Sequence, residues 1–140
     1  IRNKDVDKFY AAVVKGHCPI DLQKITLSIK KENLKTGERV VKQNQAGKFS
    51  ETEFKLITAG LSNSLIRAKI ITGRTHQIRV HSSHKGYPIL GDVKYGDASY
   101  NKQQKLKGLN RMLLHAESIN FKNLGIEQHA PIPEVFREYV

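Results

Sequence analysis

The 140-residue chain is long enough for one domain with a modest core, and its 39% apolar and 26% charged residues are those of an ordinary soluble globular protein. Lys and Arg outnumber Asp and Glu by 24 to 13, a net charge of +11 with a pI near 9.8. That excess favours a nucleic-acid or anionic-surface partner, the plain alternative being a basic protein with no polyanion partner. A single cysteine excludes an internal disulfide, and no apolar run approaches the roughly 20 residues of a membrane span, so a cytoplasmic protein with no membrane partner is expected.

Most of the chain reads as strands. Phe9 to Val14 is a short apolar run ended by Lys15-Gly16, the pattern of a buried strand. Ile25, Leu27 and Ile29 alternate with Thr26 and Ser28, and Val40-Val41 resume extended structure after the turn Lys35-Thr36-Gly37-Glu38, which predicts a hairpin. Gln43 to Lys48 is a polar loop. Thr52, Phe54 and Leu56, then Ile66, Ala68 and Ile70, give two more alternating strands, separated by a turn over Gly60 to Ser64. After Gly73 the pattern changes. Thr75 is the expected N-cap and Gly86 the expected C′ glycine of a helix of about ten residues, on which Thr75, Arg79 and Ser83 share a face; a strand remains the alternative there. Gly91 to Gly108 reads as a loop. Met112 to Ala116 and Ile119 to Phe121 return to extended structure before a turn at Asn123-Leu124-Gly125, and Glu134 to Val140 can start a terminal helix. The fold class is α+β, one domain with a mostly antiparallel, mixed sheet and few helices.

Chemistry concentrates in Gly73-Arg74-Thr75-His76-Gln77-Ile78-Arg79-Val80-His81, with two arginines, two histidines and a glutamine directly after an apolar strand. Arg79 lies between Ile78 and Val80, where a charge is costly unless paired, and its fork suits a carboxylate or phosphate. A solvent-facing arginine is the bland alternative. Arg74 stands before the helix N-terminus, where its charge opposes the helix dipole and a bound phosphate would relieve it. Tyr10 can stack on a base or handle a proton, or simply pack. His76, His81 and His84 are five and three residues apart, unlike helical zinc sites, so no metal is expected. Cys18 reads as a passive thiol.

The run Gly73 to His81, with Gly86-Tyr87-Pro88-Ile89-Leu90-Gly91-Asp92 and Tyr95-Gly96, resembles the signature of RluA-type RNA pseudouridine synthases. Lys8-Phe9-Tyr10-Ala11 with Gly16, Gly47-Lys48 with Glu51-Thr52-Glu53-Phe54, and Leu113-Leu114-His115-Ala116 with Ile119 and Phe121 are similar to further family segments, in order. The stretch Tyr95 to Arg111 looks closest to the RluC branch, which acts on large-subunit rRNA. The family motif H-R-L-D-x-x-T-S-G, which holds the catalytic aspartate, has no counterpart here, and its role is not carried to Asp5 or Asp7. With the chain opening on Ile1 rather than Met, the expectation is the C-terminal part of a catalytic domain, lacking that motif and any N-terminal RNA-binding domain, and inactive by itself.

The resemblance implies a reaction that breaks the uracil N1–C1′ bond, turns the base and rejoins it through C5, with no cofactor or metal. The uridine must be flipped out of the RNA into a pocket. Arg79 matches the basic residue that pairs with the catalytic aspartate, and Tyr10 the active-site tyrosine. Leu113 and Leu114 fall where apolar pocket residues are placed, without a choice between them. Arg74, His76 and Gln77 match residues that position phosphates, or the loop that does so. Two other classes stand beside this one: a non-catalytic RNA-binding protein on the same fold, and a metal hydrolase built on the three histidines.

Overall fold

The computed structural model describes residues 5–19 and 24–140. Among them, seven strands form one antiparallel sheet in the order β3-β2-β4-β5-β1-β6-β7. They are β1 (Val6–Lys15), β2 (Lys24–Asn33), β3 (Arg39–Gln43), β4 (Lys48–Ala59), β5 (Asn63–Ile70), β6 (Leu114–Phe121) and β7 (Ile126–His129). The predicted hairpin is the β2–β3 pair, with Lys31 opposite Val41. All the pairings are antiparallel, so the mixed sheet foreseen is not mixed among the described residues.

β1 lies between β5 and β6, and its alternation divides the core. Ala12 and Val14 point to one face with Ile66, Ala68, Phe54 and Ile78. Ala11 and Val13 point to the other with Leu65, Leu90, Leu113 and Phe136. Successive residues of an extended chain face opposite sides, which also separates the two candidate leucines. Leu114 packs with the first face and Leu113 is buried in the second. The β1–β6 register carries a bulge: Phe9 faces Ser118 and Tyr10 faces Ala116, so Glu117 is an extra residue in β6. Glu117 receives a two-point hydrogen bond from Arg67 at 2.6 and 2.8 Å. Bulges bend a strand and re-aim the side chains beside it, here next to Tyr10.

The helix α1 (Gln77–His84) lies against β2 and β4. Its end is as foreseen. Gly86 at φ 92° closes a Schellman turn, with Gly86 N–H donating to Ser83 and Tyr87 N–H to Ser82. Its start is not. The N-cap residue is His76, in the left-handed region at φ 53°, and no side chain caps the helix there. Thr75 therefore precedes the cap.

Two elements escape the sequence pattern. Helix α2 (Ala98–Lys105) lies inside the stretch read as loop, and only Gln104 of it is buried. Its start is set by Asp97, whose side chain accepts from Tyr100 N–H at 2.9 Å. β7 is wholly exposed and follows a 3-10 turn at Lys122–Leu124. The terminal helix α3 (Glu134–Glu138) buries Phe136 in the second core.

Candidate active site

A cavity of about 280 Å³ opens where β1, β5, β6 and the N-terminus of α1 meet. Tyr10, Leu114, Met112, Ile70 and Ile78 form its apolar wall, and Arg74, His76, Gln77 and Arg79 its polar one. Residues distant in the chain are thus brought together. Leu113 alone among the candidates lies elsewhere, in the core of the opposite face.

Arg79 is not turned to bulk water. Its Nε and Nη2 donate to Oδ2 and Oδ1 of Asp92 at 2.9 and 2.8 Å. Its guanidinium also lies over the Tyr95 ring, 5.0 Å from the centroid. Asp92 entered the sequence reading only as part of the family-like signature, so this partner was missed. Its carboxylate is 1% exposed. Oδ1 also accepts from the backbone N–H groups of Lys94 and Tyr95 at 3.0 and 3.1 Å. Burial pushes the Asp92 carboxyl up, but the Arg79 hydrogen bonds and the two backbone donors outweigh it and hold it below the usual carboxylate range. The same hydrogen bonds raise Arg79 above its ordinary value. Gly91 makes this placement possible. It sits at φ 81°, and a Cβ there would collide with the Arg111 carbonyl.

The Gln77 amide is fully used inside the protein. Its oxygen accepts from Thr72 Oγ1 at 2.6 Å and Arg74 N–H at 3.1 Å, and its nitrogen donates to Glu51 O at 2.7 Å and Thr52 Oγ1 at 2.9 Å. Two donors and two acceptor sites are all an amide side chain has. Gln77 therefore holds the loop over residues 72–74 and has nothing left for a ligand. Arg74 is exposed at the rim, its Nε donating to Phe49 O at 2.9 Å.

His76 carries backbone strain at a non-glycine left-handed position. Its Nδ1 lies 2.8 Å from the Tyr95 hydroxyl, which accepts from Val41 N–H at 2.8 Å. His76 Nδ1 is the one acceptor beside the Tyr95 hydroxyl proton among the described residues, which assigns Tyr95 as the donor and Nδ1 as the acceptor. Burial, then the positive charges of Arg79 and Lys94, hold His76 below its ordinary pKa, with Asp92 opposing. Neutral His76 is the form that accepts from Tyr95.

The remaining histidine and thiol chemistry is structural. His81 is 0% exposed, and Ser50 Oγ donates to Leu27 O, so His81 Nε2 donates to Ser50 Oγ at 2.7 Å. Its Nδ1 is left without a partner, and burial with His84 nearby pushes its pKa down to about 4. The folded value lies below the unfolded one of about 6.5, so stability is full above that pH and falls as the solution is acidified toward pH 4. The slope is about 1.4 kcal/mol per pH unit, about 3 kcal/mol in all. Urea unfolding between pH 4.5 and 6.5 should lose that slope in His81→Gln; an unchanged slope would assign it to another group. No group of three metal-ligating side chains occurs among the described residues. Cys18 is buried, and burial raises its thiol despite a hydrogen bond with Ser64. Asp7 lies 3.6 Å from Lys69 and 3.2 Å from Lys122, and is absent from the cavity wall.

Known proteins resemble this chain in sequence and in fold. A model of the RNA pseudouridylate synthase family covers residues 1–84. Ribosomal large subunit pseudouridine synthase C of Haemophilus influenzae is 44% identical over 123 residues, 88% of this chain and 38% of its own length. The protein of that name from Buchnera aphidicola is 43% identical over all of this chain and 46% of its own, and that of Escherichia coli is 39% identical over 89% and 40%. The chain thus spans less than half the length of these relatives. Among solved structures, human RNA pseudouridylate synthase domain containing 1 superposes with a TM-score of 0.73 at 28% identity, over 91% of this chain and 55% of that one. Human RNA pseudouridylate synthase domain containing 4 gives 0.70 at 25% identity, over 94% and 60%. With a family model over more than half of the chain, relatives at 39–44% identity that match most of it and solved structures of the same fold, this chain belongs to the RNA pseudouridylate synthase family.

Proposed function

We propose that this chain is the C-terminal portion of the catalytic domain of an enzyme that isomerises uridine to pseudouridine in large-subunit ribosomal RNA. The observation that carries the proposal is the shared cavity: Arg79, Tyr10 and Leu114 line one opening, with Arg74 at its rim. A flipped uracil would lie between the Tyr10 ring and Leu114. The nucleophile is an aspartate from a segment outside these 140 residues, entering beside Nη1 of Arg79. That is the guanidinium nitrogen with no partner among the described residues. Asp92 is unsuited to the part, since both its oxygens are engaged and buried. In the overall change the N1–C1′ bond breaks, a C5–C1′ bond forms, the C5 proton leaves and N1 gains one. The Tyr10 hydroxyl is the candidate carrier of the C5 proton. No metal or cofactor takes part. The lone buried Cys18 and a ribosomal RNA substrate favour a cytoplasmic setting. No helix among the described residues is long and apolar enough to cross a membrane.

Large-subunit rRNA labelled with tritium at uridine C5 tests the reaction, because rearrangement releases the label to water. The full-length protein should release it, and the 140-residue chain alone should not. A full-length protein that binds the RNA and releases none would replace this proposal with the non-catalytic RNA-binding reading.

A further inference from the structure

A second, larger cavity of about 530 Å³ adjoins the first, and Gly73 and Arg74 belong to both. Its walls are the β2–β3 hairpin through Ile29, Lys31 and Val41, the β3–β4 turn through Lys48, and the loop at Arg74. No carboxylate lines it. Some cations of the sheet have carboxylate partners, Lys15 with Asp97, Lys24 with Glu51, Lys69 with Asp7 and Arg67 with Glu117, while others on its strands, Lys8, Lys30, Lys42 and Lys55, have no ion pair among the described residues; what sets this groove apart is that its cations share one cavity with no carboxylate in its wall. Lys31, Lys48 and Arg74 have no ion pair among the described residues. Alternation puts Lys31 on the face of Ile29, and Lys48 stands directly opposite Ile29 across the β2–β4 pair. All three cations thus belong to the face that carries α1. The charge also reaches the first cavity, where Lys31 contributes to the field at His76. The wall is held to the site by the bond from Val41 N–H to Tyr95.

From this geometry we propose, resting on the function assigned above, that the groove seats the phosphate backbone of the RNA strand flanking the flipped uridine. Arg74 marks the junction where the strand leaves the groove and the base enters the Tyr10 cavity. Lys31 and Lys48 each neutralise one phosphate. Single-stranded contacts release counterions, with a slope of about −0.7 in log affinity against log salt per phosphate.

The test is fluorescence anisotropy of a labelled RNA oligonucleotide, carrying its uridine in a loop, against the full-length protein over a salt series. Lys31→Gln/Lys48→Gln should weaken binding roughly tenfold near physiological salt and flatten the slope by about 1.4. Lys102→Gln/Lys105→Gln removes the same charge from exposed positions on α2 and should leave the slope unchanged. Equal losses in both variants, or no loss in the first, would overturn the groove. Tritium release by the wild type is a separate readout: its absence rejects the isomerase assignment, and the slopes still decide where the strand lies.

Discussion

Replacing Arg79 with Ala in the full-length protein should cut tritium release from C5-labelled rRNA by about a thousandfold, while RNA affinity changes by no more than about threefold. The expected effect is large because the fork serves two acids at once. Nε and Nη2 hold Asp92, and Nη1 is left for the nucleophilic carboxylate proposed to enter the cavity. Arg79→Ala also leaves a buried carboxylate unpaired, so lost folding could imitate lost chemistry. Arg79→Lys separates the two. It keeps a cation beside Asp92 but cannot present parallel N–H bonds in a plane. Its melting temperature should stay near that of the wild type, and its turnover should still fall by about a hundredfold. Near-normal turnover in a folded Arg79→Lys protein would show that the paired geometry is irrelevant to catalysis.

Loss of the other half of the pair should appear first as instability. Asp92→Ala removes the acceptor for four hydrogen bonds, two from Arg79 and two from the backbone of Lys94 and Tyr95. The cost expected in urea unfolding is about 3–5 kcal/mol. Arg79→Met/Asp92→Leu should recover much of that stability, because an apolar pair of similar volume needs no desolvation of charge, yet it should give no turnover. The acid limb carries a further signature. Asp92 has a folded pKa below its unfolded value of about 3.9, so its stabilisation is present above that pH and is lost as pH falls below it. Asp92→Asn should lack this acid-labile component, and an acid limb identical to the wild type would deny the pair its role in stability.

Strands such as β2 and β4 were legible because one face of each is buried, and β1 because both of its faces are. Ile25 and Ile29, Thr52 and Phe54, Ile66 and Ala68 mark the inward positions at intervals of two or a multiple of it. Helix α2 and strand β7 were not, for the converse reason. With Gln104 the only buried residue of α2, and none in β7, no apolar period exists to be read. The Asp97 cap was the one available sign of the helix. At the helix start, Thr75 has the right side chain for a cap, but the four bonds of Gln77 place the first turn one residue later than capping preference suggests. In the site, Arg79 between Ile78 and Val80 announced that a partner was required. Nothing in the spacing pointed to Asp92, which reaches it only through the turn at Gly91. Parity alone separates Leu114 from Leu113, and it becomes decisive only when the strand's two faces are known.

Tyr95 has one more consequence. β3 is one of the two outermost strands, and a free peptide donor on such a border invites another polypeptide to continue the ladder. The phenol oxygen occupies the donor of Val41, and the Lys94 ammonium covers the carbonyl of Arg39 close by. The loop that contacts Arg79 and His76 therefore also works as a stopper against polymerisation, so a substitution of Tyr95 that slackens Arg79 would unseal the border of the sheet as well.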